Sequence, residues 1–230
     1  MKLPSKILLI IITLGSVFNA VSQSNFVTDS LLKELENTHK VIDKIDLYSA
    51  LSARHKDIDL NKAKDFAKNA LILAEKTNTI SKLGIIYTYL GEFALLEDSI
   101  TVAEEMFKKA EEYLTTTNNP KELISVYLLI GNRYIEKDNY AEAMKYYMKG
   151  IETSEMNNEK SKLPNLFNNL GVVYLNINYP EKALDLYSQA LKLFEEARDT
   201  MNVAGTTTNI GSIYIQLGQN DIAETYYQTG

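Results

Sequence analysis

Cysteine is absent from this chain, and histidine occurs only at His39 and His55. Without cysteine there is no disulfide framework, no thiolate metal site and no cysteine to carry a lipid anchor. His39 and His55 stand far outside the i, i+4 spacing that brings two imidazoles together on a helix, so they read as surface or cap residues. No glycine-rich loop follows a strand pattern, which removes the usual phosphate cradle, and no cluster of carboxylates offers an acid–base pair. These absences leave no catalytic constellation, no metal site and no cofactor, and the chain reads as a non-enzyme.

Positive charge is also scarce. The 24 Lys and Arg against 30 Asp and Glu give a formal charge of −6, with both signs interspersed, which argues against nucleic acid as a partner and for a solvated outer face. Long apolar runs are confined to residues 7–18, which follow Lys2 and Lys6 and end in Ala20-Val21-Ser22. That pattern predicts a secretory signal peptide over 1–22, and hence a periplasmic or extracellular protein. The run is too short for an ordinary membrane-spanning helix; the alternative is an uncleaved N-terminal membrane anchor. Removing 1–22 takes away two lysines and no acid, so the charge falls from −6 to −8. An exported chain with no cysteine must rest on packing alone.

What the sequence does contain is a repeat. The stretch 165–197 recurs in register at a fixed period: Gly171 has counterparts at Gly91, Gly131 and Gly211, Ala183 at Ala103, Ala143 and Ala223, Tyr187 at Phe107, Tyr147 and Tyr227, and Ala190 at Ala110, Gly150 and Gly230. Within one unit, Phe167, Leu170, Gly171 and Tyr174 fall at i, i+3, i+4 and i+7, and Ala183, Leu184, Tyr187, Ala190, Leu191 and Phe194 share the same helical spacing. This predicts two helices, 163–175 and 180–197, joined by a turn at 176–179, with Pro180 where its missing N–H does no harm. A mid-helix Gly costs about 1 kcal/mol against Ala, so four of them at one repeat position require a close approach. The expectation is that Gly171 and Ala183 let the two helices of a hairpin touch, while Tyr187 fills the gap towards the next unit.

These positions resemble the tetratricopeptide repeat, whose pattern runs aromatic, Leu-Gly, Tyr, then Ala, Phe or Tyr, and Ala. The aromatic opening is Tyr87, Tyr127 and Phe167; the Leu-Gly pair is Leu90-Gly91, Ile130-Gly131, Leu170-Gly171 and Ile210-Gly211; Tyr134, Tyr174 and Tyr214 follow. Thr207 and Ala94 break the aromatic positions, and the closing Pro is missing. The period is 40 rather than the standard ~34, which is expected to lengthen both the helices and the connections between units. The resemblance implies an all-α fold, a right-handed superhelical solenoid of antiparallel helix pairs. Units are expected at 44–83, 84–123, 124–163, 164–203 and, in part, 204–230. The first is a degenerate copy carrying Leu47, Leu51, Ala63, Ala67 and Ala70 with its turn at 57–61. Residues 23–43 form a lead with a capping helix over 30–42. Stretches 115–120 and 156–158, rich in turn formers, are the expected links between hairpins.

In the resembled family the first helix of each unit lines a concave groove. The corresponding positions hold Asn165, Asn168, Asn169 and Asn176 in one unit, Thr208, Asn209, Ser212 and Gln216 in the next, and Asn132 in the one before. An amide both donates and accepts, so a row of Asn can pair with an extended peptide backbone whatever its sequence. Composition is the competing reading, since the chain holds 20 Asn, many in turns; against it, Asn is no natural choice for a helical site. Both readings stand at this point. The Lys and Arg that some members use to clamp a C-terminal carboxylate are replaced by Tyr48, Ser52, Thr88 and Leu128, so chaperone-tail binding is not expected. The 15 tyrosines fall mostly on core positions of the repeat and read as structural.

The resulting expectation is an exported scaffold that binds a protein or peptide, with membrane contact only through the signal peptide or a linked partner. A signal peptide followed by Tyr- and Asn-rich units also resembles the exported sensory part of bacterial histidine kinases and regulators. The alternative expectation is a fragment of such a receptor, because the last unit stops short of its period and exposes Ile222, Ala223, Tyr226 and Tyr227. A helical-repeat enzyme is the remaining class.

Overall fold

Eight joints of one geometry, evenly placed at half the repeat period, set the architecture. Asn78, Asp98, Asn118, Asp138, Asn158, Asn178, Arg198 and Gly218 all have positive φ, between 49° and 73°. Asn, Asp and Gly reach this left-handed conformation most readily, and a residue there ends an α-helix. The residue after each joint closes the cap: the N–H of Thr79 bonds to the Ala74 carbonyl (2.8 Å), that of Asp199 to Phe194 (2.9 Å) and that of Gln219 to Tyr214 (2.8 Å). The same residue often starts the next helix. Asn119 accepts from the Glu122 N–H, Asn139 from Glu142 and Asp199 from Asn202, at 3.2–3.3 Å.

The computed structural model describes residues 27–229. The signal peptide expected at 1–22, the start of the lead at 23–26 and the repeat position Gly230 lie outside the described residues. The helices are α1 (27–37), α2 (Val41–His55), α3 (Leu60–Lys76), α4 (Ile80–Leu96), α5 (Ile100–Thr116), α6 (Pro120–Glu136), α7 (Tyr140–Asn157), α8 (Leu163–Asn176), α9 (Pro180–Glu196), α10 (Thr200–Gln216) and α11 (Asn220–Thr229). Among the described residues there is no strand, and no helix is long and apolar enough to cross a membrane.

Three expectations about element bounds need correction. The extra length of the repeat period goes into 17-residue helices and not into connections, most of which, such as 97–99 and 137–139, are short. Thr115 and Thr116 still belong to α5 and Pro120 already opens α6; Met156 and Asn157 belong to α7, so that link is 158–162. The helix expected over 30–42 is two: α1 stops at 37 and Ile42 lies in the first turn of α2. At that break the Asn37 side chain donates to the Lys33 carbonyl one turn back (2.6 Å), a local side-chain bond that competes with regular helix.

The chain divides into two compact units within α4, between Phe93 and Ala94. In the first, α2 and α3 pack as a hairpin, with Leu51, Ala63, Ala67 and Ala70 almost fully buried. The Ser52 hydroxyl donates to the Ala63 carbonyl across it (2.8 Å), and Phe93 closes on Ala63 and Ala67. Lys56 reaches the fully buried Glu92 at 2.7 Å. His55 packs on Phe66, ring centroids 5.1 Å apart, with Nδ1 2.8 Å from the Leu51 carbonyl oxygen.

In the second unit α6 packs on α7, α8 on α9 and α10 on α11, while α5–α6, α7–α8 and α9–α10 contacts join successive pairs. The repeated glycine acts differently from the expectation. A Cβ placed on Gly171 would lie 2.8 Å from Cε1 of Tyr187, and one on Gly211 2.9 Å from Cε1 of Tyr227; Gly131 faces Tyr147 in the same way. Each glycine therefore makes room for the aromatic ring of its own hairpin. Tyr187 then extends to Ile210 and Ile213 of the next pair, so one ring serves both contacts.

Candidate functional site

The first helices of three successive pairs, α6, α8 and α10, are linked by a chain of side-chain hydrogen bonds. Asn132 on α6 holds the centre: its Oδ1 accepts from the Tyr147 hydroxyl (2.8 Å) and from Asn169 Nδ2 (2.7 Å). Asn168 Nδ2 donates to Asn169 Oδ1 (3.2 Å), and the Thr206 hydroxyl of α10 donates to Asn168 Oδ1 (3.3 Å). Tyr147 is 1% exposed and burial pushes its hydroxyl up, so it stays a donor.

All three amide oxygens are engaged inside this ladder. The N–H groups are not: two remain on Asn132 and one each on Asn168 and Asn169 after the bonds above. The face consequently offers more donors than acceptors, a match for backbone carbonyls. Asn132 also stands between two clefts. One, of about 240 Å3, is lined by Asn132, Ile135, Glu136, Tyr147, Asn169 and Val172. The other, of about 270 Å3, includes Ser125, Leu128, Asn132, Arg133 and Lys162.

Of the residues singled out in the sequence, the structure brings Asn132, Asn168 and Asn169 together. Asn176 turns back to the Val172 carbonyl (2.9 Å) and Thr208 to the Ala204 carbonyl (2.8 Å), so both side chains engage their own helices. Ser212 meets the Tyr227 hydroxyl (3.2 Å), as Asn132 meets Tyr147 two units before, and also bonds to the Thr208 carbonyl (2.9 Å). Asn165 and Asn209 are half-buried and Gln216 is exposed. The sequence reading missed Thr206 and Tyr147. A signal existed for the tyrosine: Asn132 and Ser212 sit at the repeat position immediately after the glycine, and each of their units has Tyr rather than Phe at the position of Tyr187.

A second polar assembly braces α5, α6 and α7. Glu111 accepts from the Tyr127 hydroxyl (2.6 Å), and Lys149 Nζ lies 2.8 Å from both carboxylate oxygens. The same ammonium sits over the Tyr127 and Tyr146 rings, 5.5 and 5.6 Å from their centres. Burial works to raise the Glu111 pKa, but the Lys149 and Tyr127 hydrogen bonds outweigh it and hold the carboxyl below its usual value. Among the described residues no three His, Asp or Glu side chains converge as a metal site would require.

Residues 124–155, 164–196 and 207–230 match the tetratricopeptide repeat. Among curated proteins none matches. Solved structures do. BtubC (BKLC) from P. vanneervenii has a TM-score of 0.70 at 18% identity, with 90% of this chain and 87% of that one covered. A signal-transduction ATPase with numerous domains and a tetratricopeptide repeat sensor, from Pyrococcus horikoshii, reaches 0.74 at 18% identity over 90% of this chain, which spans only 33% of that protein. The Rap conjugation gene regulator of the plasmid pLS20, solved with the Phr* peptide, reaches 0.58 at 18% identity over 81% of this chain and 53% of that one. At these identities the likeness is one of fold.

Proposed function

On the premise that this chain carries tetratricopeptide repeats, we propose that it is a non-enzymatic scaffold that holds an extended protein segment across α6, α8 and α10. We further propose that it is exported and serves as the sensing part of a signalling system. The observation that carries the first reading is the amide ladder. Its oxygens are used internally and N–H groups remain over on all three amides, so a chain laid across it meets donors at Asn132, Asn168 and Asn169. An extended segment offers a backbone carbonyl every ~3.3 Å, an acceptor supply that does not depend on sequence. The peptide complex of the similarly folded Rap regulator supports this reading, and the repeat sensor of the Pyrococcus ATPase supports the signalling one. Export rests on Lys2, Lys6, the apolar run 7–18 and Ala20-Val21-Ser22.

An array of unstructured peptides probed with the protein tests the binding mode. Peptides retained by the wild type are expected to lose about tenfold or more in affinity to Asn132→Ala/Asn169→Ala, the cost of at least one hydrogen bond left unmade, with helical circular dichroism unchanged. Equal retention by the double variant overturns the reading. For export, residues 1–30 fused to alkaline phosphatase should give activity outside the cytoplasm; an inactive, uncleaved fusion overturns it.

A further inference from the structure

A cavity of about 150 Å3 lies between the α4–α5 joint and the α6–α7 joint, lined by Leu95, Asp98, Ile100, Tyr134, Lys137 and Asn139. Its inner wall is apolar and closed: Leu95 is 2% exposed and Tyr134 1%. Its rim is formed by the Asp98–Lys137 ion pair and by Ile100, which is 53% exposed. Tyr134, which lines this space, has a buried hydroxyl with no hydrogen-bond partner. Two other rings pack against its own. Tyr146 stacks on it at 5.8 Å and Phe107 meets it edge-on at 6.5 Å.

A buried hydroxyl left unpaired is costly, and the rest of the cavity has little to spare for it. Lys137 is paired with Asp98, and Asn139 Oδ1 is committed to the Glu142 N–H. A buried water needs about two to four polar partners, and of the closed inner wall only the Tyr134 hydroxyl is polar, whereas an apolar cavity of ~150 Å3 accepts a molecule the size of benzene. Burial and, after it, the Glu104 and Glu142 carboxylates push the Tyr134 hydroxyl up to about 12, so it is a donor at neutral pH. The same carboxylates disfavour an anion, and the rim pair already cancels its own charge.

We propose that this cavity binds a small neutral molecule with an apolar, ring-sized body and one hydrogen-bond-accepting oxygen, to which the Tyr134 hydroxyl donates. The site is independent of the amide ladder. A ligand here touches both joints and stabilises the packing of α5 against α6.

Cyclohexanone is the probe, with cyclohexane as its counterpart lacking the oxygen, titrated into the isotope-labelled full chain and followed by amide spectra. Saturable shifts are expected at the joint amides 95–100 and 134–139. Affinity should fall about fivefold or more with Tyr134→Phe or with cyclohexane, as one hydrogen bond is removed, and binding should vanish with Ile100→Trp, which fills the mouth. Absence of saturable shifts at these joints overturns the proposal. So does equal affinity of the wild type for cyclohexanone and cyclohexane, a comparison that stands even if Tyr134→Phe fails to fold. Undiminished binding by a folded Ile100→Trp variant places the ligand elsewhere and overturns it too.

Discussion

Asn169 Nδ2 lies 2.7 Å from Asn132 Oδ1 in the neighbouring repeat, and that oxygen also accepts from the hydroxyl of Tyr147. The bond ties neighbouring repeats through their polar face, and Asn132 also keeps a buried tyrosine hydroxyl satisfied.

Asn132→Leu is therefore expected to destabilise the protein by about 1–3 kcal/mol, most of it from the Tyr147 hydroxyl left buried without an acceptor. Tyr147→Phe removes that hydroxyl, so Asn132→Leu/Tyr147→Phe should cost less than the sum of the two single changes. Urea denaturation of the four proteins measures the difference; strict additivity would separate the two residues energetically.

Two glycines in helices should respond in opposite directions to the same change. Gly171→Ala puts a Cβ 2.8 Å from the Tyr187 ring, itself 1% exposed, and overpacking of this kind costs about 1–3 kcal/mol. Gly205, exposed in α10, has nothing within 4 Å of its would-be Cβ, so Gly205→Ala should stabilise by about 1 kcal/mol through helix propensity. Melting temperatures that move the same way for both would contradict the packing described.

Arg198 is the one joint residue of the eight that is not Asn, Asp or Gly. A side chain with a Cβ in that conformation costs ~1–2 kcal/mol, and Arg198→Gly is expected to recover about 1 kcal/mol of it. A lower denaturation midpoint for the glycine variant would mean that the arginine side chain makes a contact worth more than the strain.

Glu111 should give the protein part of its acid sensitivity. Its folded pKa lies below the ordinary 4.5, so its contribution is present above that value and is lost as pH falls through the lower, folded one. Glu111→Gln should lower stability at pH 7 and flatten the decline below pH 4.5. Parallel pH profiles for the two proteins would assign the acid limb to other carboxylates.

Most of the helical pairing was legible in the sequence because it is carried by positions that can bear only a few residue types. Gly131, Gly171 and Gly211 each face a ring that leaves no room for a Cβ, and Ala183 and Ala190 are fully buried. The joints were harder to see. Alignment at the repeat period superposes Asn78 on Asn118 and Asp98 on Asp138, and it hides that the two series are one series at half that period, blurred further by Arg198 and Gly218. For the ladder, repeat position pointed to Asn132, Asn168 and Asn169 but could not pair them. The bonds Asn132–Asn169 and Asn168–Thr206 fall a few positions short of the full period, an offset set by the stagger of helices and by rotamers, and so Thr206 went unnoticed.

The equal spacing of the left-handed joints also bears on how such a chain changes length. Asp98, Asp138 and Asn178 terminate their helices in the same way, and each helix leaves its joint in the conformation that the next joint supplies again. A gene segment encoding one whole repeat, from Asp98 to Asp138 for instance, can be copied or excised by unequal recombination, and every surviving helix keeps a proper end. An insertion of half a repeat, one helix with its joint, keeps the ends as well but exchanges the roles of first and second helices downstream, turning Asn positions to where Ala belongs. The joints thus tolerate both steps, while the glycine–tyrosine contact admits only the larger one.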